Sequence, residues 1–253
     1  MTTHDGYDKV SGIYDMFADQ AALDFYTGFG SGFGEVLDIG AGTGRIAIAL
    51  ARKGTRVISV EPSPAMAGQF RAKLDREPAL KGLITLIEAD AGSFDAGRTV
   101  PAAFMAGSFD HLPNDEERLK ALSNIARHLE PGGRLVFEVW MGLMKDDPGT
   151  WAGETTVGDT TYKRMVGRKV MPDGTVEIEL VFDISRGGEL VERIEQHSRV
   201  GISDRDKVHG LLGQAGFQVT GEFGDYEGTP YKEDDSILLF DTVRQAHTSP
   251  DSD

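Results

Sequence analysis

Short apolar runs alternate with segments of helical periodicity along the first 140 residues. Five runs rich in Val, Ile, Leu and Phe predict buried strands over 36–39, 56–60, 83–88, 102–106 and 134–140. Apolar residues spaced three or four apart between these runs predict helices over 45–52, 64–77 and 115–129. This alternation is typical of an α/β fold with a doubly wound, mostly parallel sheet.

The pattern changes between residues 150 and 201. Apolar and polar residues alternate there with period two, and Pro172-Asp173-Gly174 and Gly187-Gly188 supply turn residues. These features predict an inserted antiparallel β-meander with strands over 160–170, 175–184 and 190–200. A helix over 203–215, capped by Ser203, and strands over 217–223 and 236–243 are expected to complete the fold.

The segment before the first strand has a helical pattern of its own. Within residues 5–28, apolar residues recur at spacings of three and four, which predicts an amphipathic helix or two short ones; they are Tyr7, Val10, Ile13, Tyr14 and Phe17. Such an element would cover the sheet or close over a ligand. If this element is a lid, Tyr7 and Tyr14 are expected to face the site. The predicted organisation is therefore a helical lid, a binding domain in two pieces, an inserted sheet and a flexible tail, over 1–34, 35–149 with 202–244, 150–201 and 245–253.

Composition narrows the classes of partner. The 253 residues contain 26 Lys and Arg against 41 Asp and Glu, a net charge of −15, so nucleic acid and anionic membranes are poor partners. The chain has no cysteine and no clustered metal-ligand motif, so neither a disulfide framework nor a metal site is expected. No window is apolar enough for a membrane span, and the first residues do not resemble a signal peptide, which predicts a cytoplasmic protein. A homodimer through the inserted sheet is compatible with the pattern, but no feature requires it.

A glycine-rich turn follows the first strand. Gly40, Gly42 and Gly44 stand at alternate positions between the apolar run and the next helix. Glycine there permits positive φ and lets a ligand approach the main chain. Glu61 ends the second strand, where an acid can accept both hydroxyls of a ribose. This combination predicts a site for a nucleoside-containing cofactor. The spacing GxGxG differs from the GxGxxG of dinucleotide-binding proteins, which disfavours a nicotinamide oxidoreductase.

The segment VLDIGAGTGR, residues 36–45, resembles the first motif of class I S-adenosylmethionine-dependent methyltransferases. The run LEPGGRLVFEV, residues 129–139, is similar to a later segment of that family, and the resemblance covers residues 36–140. The inserted meander resembles that of the sugar N,N-dimethyltransferases of antibiotic biosynthesis, and so do three short segments, Ile13-Tyr14-Asp15, Ser108 to Leu112 and Glu138-Val139-Trp140. The resemblance implies a Rossmann-like fold, with S-adenosylmethionine as methyl donor and S-adenosylhomocysteine as product.

The resemblance also implies a set of cofactor-binding residues. Asp90, just past the third strand, is expected to face the adenine amine, and Met66 is expected to lie near the adenine ring. The complete expected set is Tyr14, Asp38, Gly40, Ala41, Gly42, Arg45, Glu61, Pro62, Met66, Asp90, Ala91 and Ala106.

The predicted reaction is methyl transfer to a small molecule, with an amine nitrogen of an amino sugar or similar metabolite favoured over oxygen or carbon. Proximity and orientation would supply most of the rate. Tyr14 and His111 are the candidate catalytic residues, His111 because its ordinary pKa is about 6.5. Candidate acceptor contacts are Trp140, Trp151, Tyr162, Phe182 and Tyr231 as pocket walls and Arg164, Arg168 and Arg186 as phosphate ligands. Methylation of oxygen or carbon, methylation of a peptide, and cofactor binding without catalysis remain alternatives.

Overall fold

The computed structural model describes residues 9–142 and 145–246. Within them, the helices are α1 (Gln20–Gly30), α2 (Arg45–Arg52), α3 (Pro64–Arg76), α4 (Asp115–Arg127) and α5 (Arg205–Gln214). The strands of the first half are β1 (Glu35–Ile39), β2 (Arg56–Val60), β3 (Ile84–Ile87), β4 (Val100–Met105) and β5 (Leu129–Trp140). The remaining strands are β6 (Asp147–Val157), β7 (Thr160–Val170), β8 (Thr175–Arg186), β9 (Glu189–Gly201), β10 (Phe217–Phe223) and β11 (Ile237–Arg244).

The described strands form a seven-stranded sheet in the order β10-β11-β5-β4-β1-β2-β3. The five strands β1 to β5 are parallel, whereas β10 and β11 pair antiparallel. Helices α1 to α3 pack on one face and α4 and α5 on the other, which buries both faces of each central strand. This confirms the predicted doubly wound fold. The chain runs outward from β1 in both directions, so a crevice opens at the carboxyl ends of β1 and β4.

The inserted antiparallel sheet is confirmed and has one strand more than the sequence pattern predicts. Its order is β6-β7-β8-β9, and it lies in the chain between β5 and α5. The additional strand, β6, has side chains that are mostly exposed, so no alternation of apolar residues marked it. The Phe17 ring packs against Phe182 of β8 at a centroid distance of 5.5 Å, which joins the N-terminal segment to this sheet.

The N-terminal segment has the second of its two expected forms, because it contains two short helical elements: Tyr14–Phe17 is a 3-10 turn, and the regular helix α1 starts at Gln20. Two other local predictions were wrong. Helix α5 is capped by Asp204, whose carboxylate accepts a hydrogen bond from the Lys207 N–H at 2.8 Å, and not by Ser203. Strand β5 begins at Leu129 and not at the predicted residue 134, and its pairing with β4 is irregular between Leu129 and Arg134.

The ends of the chain lie partly outside the described residues. The expected interaction of Tyr7 with the site and most of the predicted tail fall there. In the described part, no helix has both the length and the hydropathy needed to cross a membrane.

Candidate functional site

A cavity of about 1190 Å³ opens at the crevice between β1 and β4. Its walls are the carboxyl ends of β1, β2, β4 and β5, the turn Tyr14–Phe17, and one face of the inserted sheet. Ligand pockets commonly measure about 300–1,000 Å³, so this one has room for a nucleoside cofactor and a second molecule. The thirteen residues expected to bind the cofactor or to act in catalysis all line it, namely Tyr14, Asp38, Gly40, Ala41, Gly42, Arg45, Glu61, Pro62, Met66, Asp90, Ala91, Ala106 and His111.

The glycine loop after β1 depends on positive φ angles. Gly40, Gly42 and Gly44 have φ of 76°, 57° and 78°, a region that other residues rarely adopt. A Cβ at Gly40 would overlap the Ser108 side chain, and one at Gly44 would overlap the Phe70 ring. A Cβ at Gly42 would meet no atom of the protein, because this position borders the cavity. Two glycines are therefore needed for packing, while Gly42 leaves its backbone open to a ligand.

Glu61 at the end of β2 is fixed by the backbone of two loops. Its carboxylate accepts hydrogen bonds from the Gly42 N–H at 2.7 Å and from the Ser63 N–H at 2.8 Å. Burial raises the pKa of Glu61 above its ordinary value, and these two hydrogen bonds oppose that effect. A carboxylate has about four acceptor positions, so each oxygen of Glu61 keeps one for a ligand.

Asp38 in β1 is a buried acid whose Oδ2 atom lacks a hydrogen-bond partner among the described residues. The residue is only 2% exposed, and no described group donates to its Oδ2 atom. Burial, followed by repulsion from Glu61, raises the pKa of Asp38 from 3.8 to about 8. A carboxylate in this setting favours either a proton or a cationic ligand in the cavity.

The loop after β3 presents Asp90 and Ala91 to the cavity. Asp90 caps no helix, and its Oδ1 atom accepts a hydrogen bond from the Gly92 N–H at 3.2 Å. The side chain of Asn124 in α4 donates to the Ala91 carbonyl at 3.1 Å and holds the loop in place. Met66, in the first turn of α3, is buried on the same side of the cavity.

The turn Tyr14–Phe17 is attached to the glycine loop through Asp15. The Asp15 carboxylate accepts a hydrogen bond from the Thr43 hydroxyl at 2.5 Å and forms an ion pair with Lys73 of α3. Nearby, Arg45 donates to the Asp19 carbonyl at 2.8 Å. These bonds hold Tyr14 at the cavity wall, close to the loop that carries Gly42.

His111 follows β4 in a short 3-10 turn, Phe109–His111. Its imidazole faces the cavity and lies edge-on to Trp140, with ring centroids 6.3 Å apart. The neighbouring Asp110 is directed into the protein, where it accepts a hydrogen bond from the Trp140 N–H at 2.7 Å. Burial raises the pKa of Asp110 to about 7. Within this turn, His111 therefore lies in the cavity wall, while the adjacent Asp110 is buried in the interior.

The other aromatic and basic candidates separate into two groups. Trp140, Arg164 and Arg168 line the cavity, whereas Arg186 does not. Trp151 is exposed, Phe182 is in the interior of the inserted sheet, and Tyr231 packs on the core of the main domain. Tyr162 is also absent from the wall of the cavity.

Glu138 is a cavity residue that the sequence analysis did not select. It is 3% exposed, near the end of β5, and burial raises its pKa to about 7. The available signal was an acid inside the apolar run Phe137 to Val139. Among the described residues, no group of three or more His, Asp or Glu side chains could hold a metal ion.

Comparisons with known proteins agree with this geometry. The sequence family described as a methyltransferase domain matches residues 36–133. A cypemycin N-terminal methyltransferase from a Streptomyces species is 28% identical over 220 residues, which is 83% of each chain.

Solved structures extend the similarity of the fold to nearly the whole chain. The CcbJ methyltransferase from Streptomyces caelestis superposes with a TM-score of 0.79 and 20% identity, over 97% of this chain and 99% of the other. CalS10, an amino pentose methyltransferase from Micromonospora echinaspora solved with bound S-adenosylmethionine, gives a TM-score of 0.70 and 21% identity, over 90% and 92%. The chain therefore carries a methyltransferase domain over residues 36–133 within the class I methyltransferase fold, and these similarities support S-adenosylmethionine-dependent methyltransferase activity.

Proposed function

We propose that this enzyme methylates an amine nitrogen of a small molecule, such as an amino sugar. The observation that carries the proposal is the charge of the cavity wall. Three buried acids, Asp38, Glu61 and Glu138, line it near the carboxyl ends of β1, β2 and β5. Buried carboxylates favour cationic ligands, and both a sulfonium donor and a protonated amine are cations.

The residues present fit S-adenosylmethionine. In the proposed arrangement, Glu61 receives the ribose hydroxyls, and Asp90, Ala91, Pro62 and Met66 surround the adenine. Asp38, with its unpartnered oxygen, faces the positively charged amino acid portion together with the loop from Gly40 to Gly42. Ala106, Tyr14 and Arg45 complete this end of the site. The cofactor, when bound, supplies a methyl group that is activated by its sulfonium.

The part of the cavity beneath the inserted sheet is the proposed acceptor site. Val166, Ile178 and Leu180 give this wall an apolar surface, and Trp140 packs in the same apolar cluster. His111 lines the cavity beside Trp140. Such a wall excludes water and holds the amine in line with the methyl group, which is the main source of rate in this mechanism. His111 is proposed to contact the acceptor, as a base or as a hydrogen-bond partner, and Tyr14 to close the site.

Two arginines on the same wall suit an acceptor that also carries an anion. Arg164 donates to the carbonyls of Phe17 and Ala152 at 3.2 and 3.1 Å, and its Nε atom has no partner among the described residues. The Arg168 Nε atom is also without a described partner, and the Arg168 Nη2 atom forms a 3.8 Å ion pair with Asp147. A phosphate or carboxylate on the acceptor would accept hydrogen bonds from the unpartnered Nε atoms of these two guanidinium groups.

The similarity to a peptide-modifying enzyme supports a second candidate. The cypemycin enzyme is matched over most of its length and is named as an N-terminal methyltransferase. A peptide amino terminus is an amine too, so the same acids would serve it. We also propose that the enzyme has no nucleic acid partner, in keeping with its net charge of −15.

A two-stage experiment tests the proposal. Calorimetry first measures binding of S-adenosylmethionine and S-adenosylhomocysteine, and failure of both to bind at millimolar concentration would contradict it. A methyl-transfer screen then compares amino sugars, peptides with a free amino terminus, and phenols. Product mass and fragmentation locate the methyl group. Methylation of amines supports the proposal, and methylation of phenols alone would overturn the choice of nitrogen.

A further inference from the structure

Glu138 occupies the rim of the sheet, level with residues proposed to bind the cofactor. Phe104 of β4 pairs with Asp38 on one side and with Val136 on the other. Two residues further along these three strands stand Gly40, Ala106 and Glu138, all in the cavity wall. The carboxylate of Glu138 therefore lies at the edge of the sheet where the methyl donor and the methyl acceptor would meet.

Three donors from different elements hold this carboxylate. The Gly107 N–H donates to its Oε1 atom at 2.6 Å, and the Tyr226 hydroxyl donates to the same oxygen at 3.3 Å. The hydroxyl of Tyr26, in α1, donates to Oε2. Of about four acceptor positions on a carboxylate, one on Oε2 remains for a ligand.

The surroundings of Glu138 contain acids but no paired cation. Glu138 takes part in no ion pair among the described residues, and its polar partners are two phenols and an amide. Asp110 is close enough for Glu138 to raise the Asp110 pKa, and Asp38 lies near Tyr26. A buried carboxylate without a cation is strongly unfavourable, and an ammonium ion bound in the cavity would compensate it.

We infer that Glu138 binds the protonated amine of the acceptor and takes its proton before methyl transfer. This inference rests on the proposed function as an amine methyltransferase. The ammonium gives one proton to Glu138, and the neutral amine then uses its lone pair to form the new N–C bond. The C–S bond of the sulfonium breaks with its electron pair moving to sulfur, which leaves S-adenosylhomocysteine. Release of the methylated ammonium product and loss of the proton from Glu138 to water restore the site.

The Glu138→Gln variant tests the role because it keeps a hydrogen-bond acceptor and removes the charge. With glucosamine or an alanyl peptide as acceptor, whichever the wild type methylates, kcat/KM is expected to fall about 10- to 100-fold, since hydrogen bonds to charged groups contribute this much. Binding of S-adenosylmethionine is expected to change less than threefold. A neutral analogue with hydroxyl in place of the amine should bind both proteins equally, because the lost interaction is with positive charge.

Asp110→Asn is the matched control. Asp110 is equally buried beside the same loop, but its side chain is directed away from the cavity. The Asp110→Asn variant should keep kcat/KM within threefold of the wild-type value. Tyr226→Phe removes one donor and should give a smaller decrease than Glu138→Gln, which provides a second test if the first variant folds poorly.

Three results would overturn the inference. They are an unchanged kcat/KM for Glu138→Gln, an equal loss of affinity for the hydroxyl analogue, and a loss confined to S-adenosylmethionine binding. If the wild type methylates no amine, the proposed function fails instead, so the two failures are distinct.

Discussion

Replacement of Asp38 by asparagine should stabilise the ligand-free enzyme and weaken cofactor binding. The wild-type pKa rises from 3.8 to about 8 because the carboxyl is buried beside Glu61. Each tenfold change in acid dissociation corresponds to about 1.4 kcal/mol, so ionisation of Asp38 in the folded, ligand-free protein costs about 6 kcal/mol.

The sign of the pH dependence follows from proton binding. The folded state holds the Asp38 proton more tightly than the unfolded state does. Asp38 therefore lowers the stability of the wild type as pH rises from about 4 to about 8, and has no further effect above that. Asp38→Asn removes this loss. The variant should match the wild type near pH 4 and exceed it by several kcal/mol near pH 8, as measured by urea unfolding at each pH.

Cofactor binding should respond in the opposite direction. At pH 7 the wild type must release a proton from Asp38 to hold a cation, and calorimetry in buffers of different ionisation enthalpy measures that release. We expect close to one proton per S-adenosylmethionine for the wild type and much less for Asp38→Asn. The variant should bind about 10- to 100-fold more weakly, because a charged interaction is lost. Equal affinity and equal proton release in the two proteins would refute the reasoning.

Three further predictions concern the loops around the cavity. Gly44→Ala should destabilise the protein by about 3 kcal/mol, because alanine is strained at a φ of 78° and its Cβ would overlap the Phe70 ring. Gly42→Ala should lose less stability and more cofactor affinity, because its Cβ would border the cavity. Thermal unfolding measures the loss of stability, and calorimetry measures the loss of affinity. His111→Ala should reduce kcat less than tenfold, because Glu138 is inferred to take the proton of the amine, and a larger decrease would make the imidazole an essential base. Asp15→Ala breaks the bonds to Thr43 and Lys73, so KM for both substrates should rise while the unfolding temperature changes little.

The helices and strands of the main sheet could be predicted because their buried positions are occupied by apolar residues at regular spacings in the sequence. Strands of the parallel sheet are covered on both faces and are apolar throughout, and Asn114 before α4 accepts from the Glu117 N–H as its position suggests. Strand β6 was not predicted because its side chains are mostly exposed and its pairing comes from β7. The cap of α5 was misplaced by one residue since Ser203 and Asp204 are both good N-cap residues.

The site was predictable only where a motif fixes the backbone. The glycine spacing and the acid ending β2 were sufficient to indicate a nucleoside, and the cofactor-binding residues implied by the family resemblance line the same cavity. Glu138 was not found, because its surroundings depend on Tyr26 and Tyr226, which are distant in sequence. Likewise, nothing in the sequence separated Arg186 from Arg164 and Arg168, since the faces of the inserted sheet are assigned only by its packing.

Transfer of an isotope-labelled methyl group to an amino sugar tests the central claim most directly. The enzyme is incubated with labelled S-adenosylmethionine and either an amino sugar or the sugar with hydroxyl in place of the amine, and the products are examined by mass spectrometry and NMR. The account predicts label on nitrogen of the amino sugar and none on its hydroxyl counterpart. Label on oxygen or carbon in both sugars would contradict it.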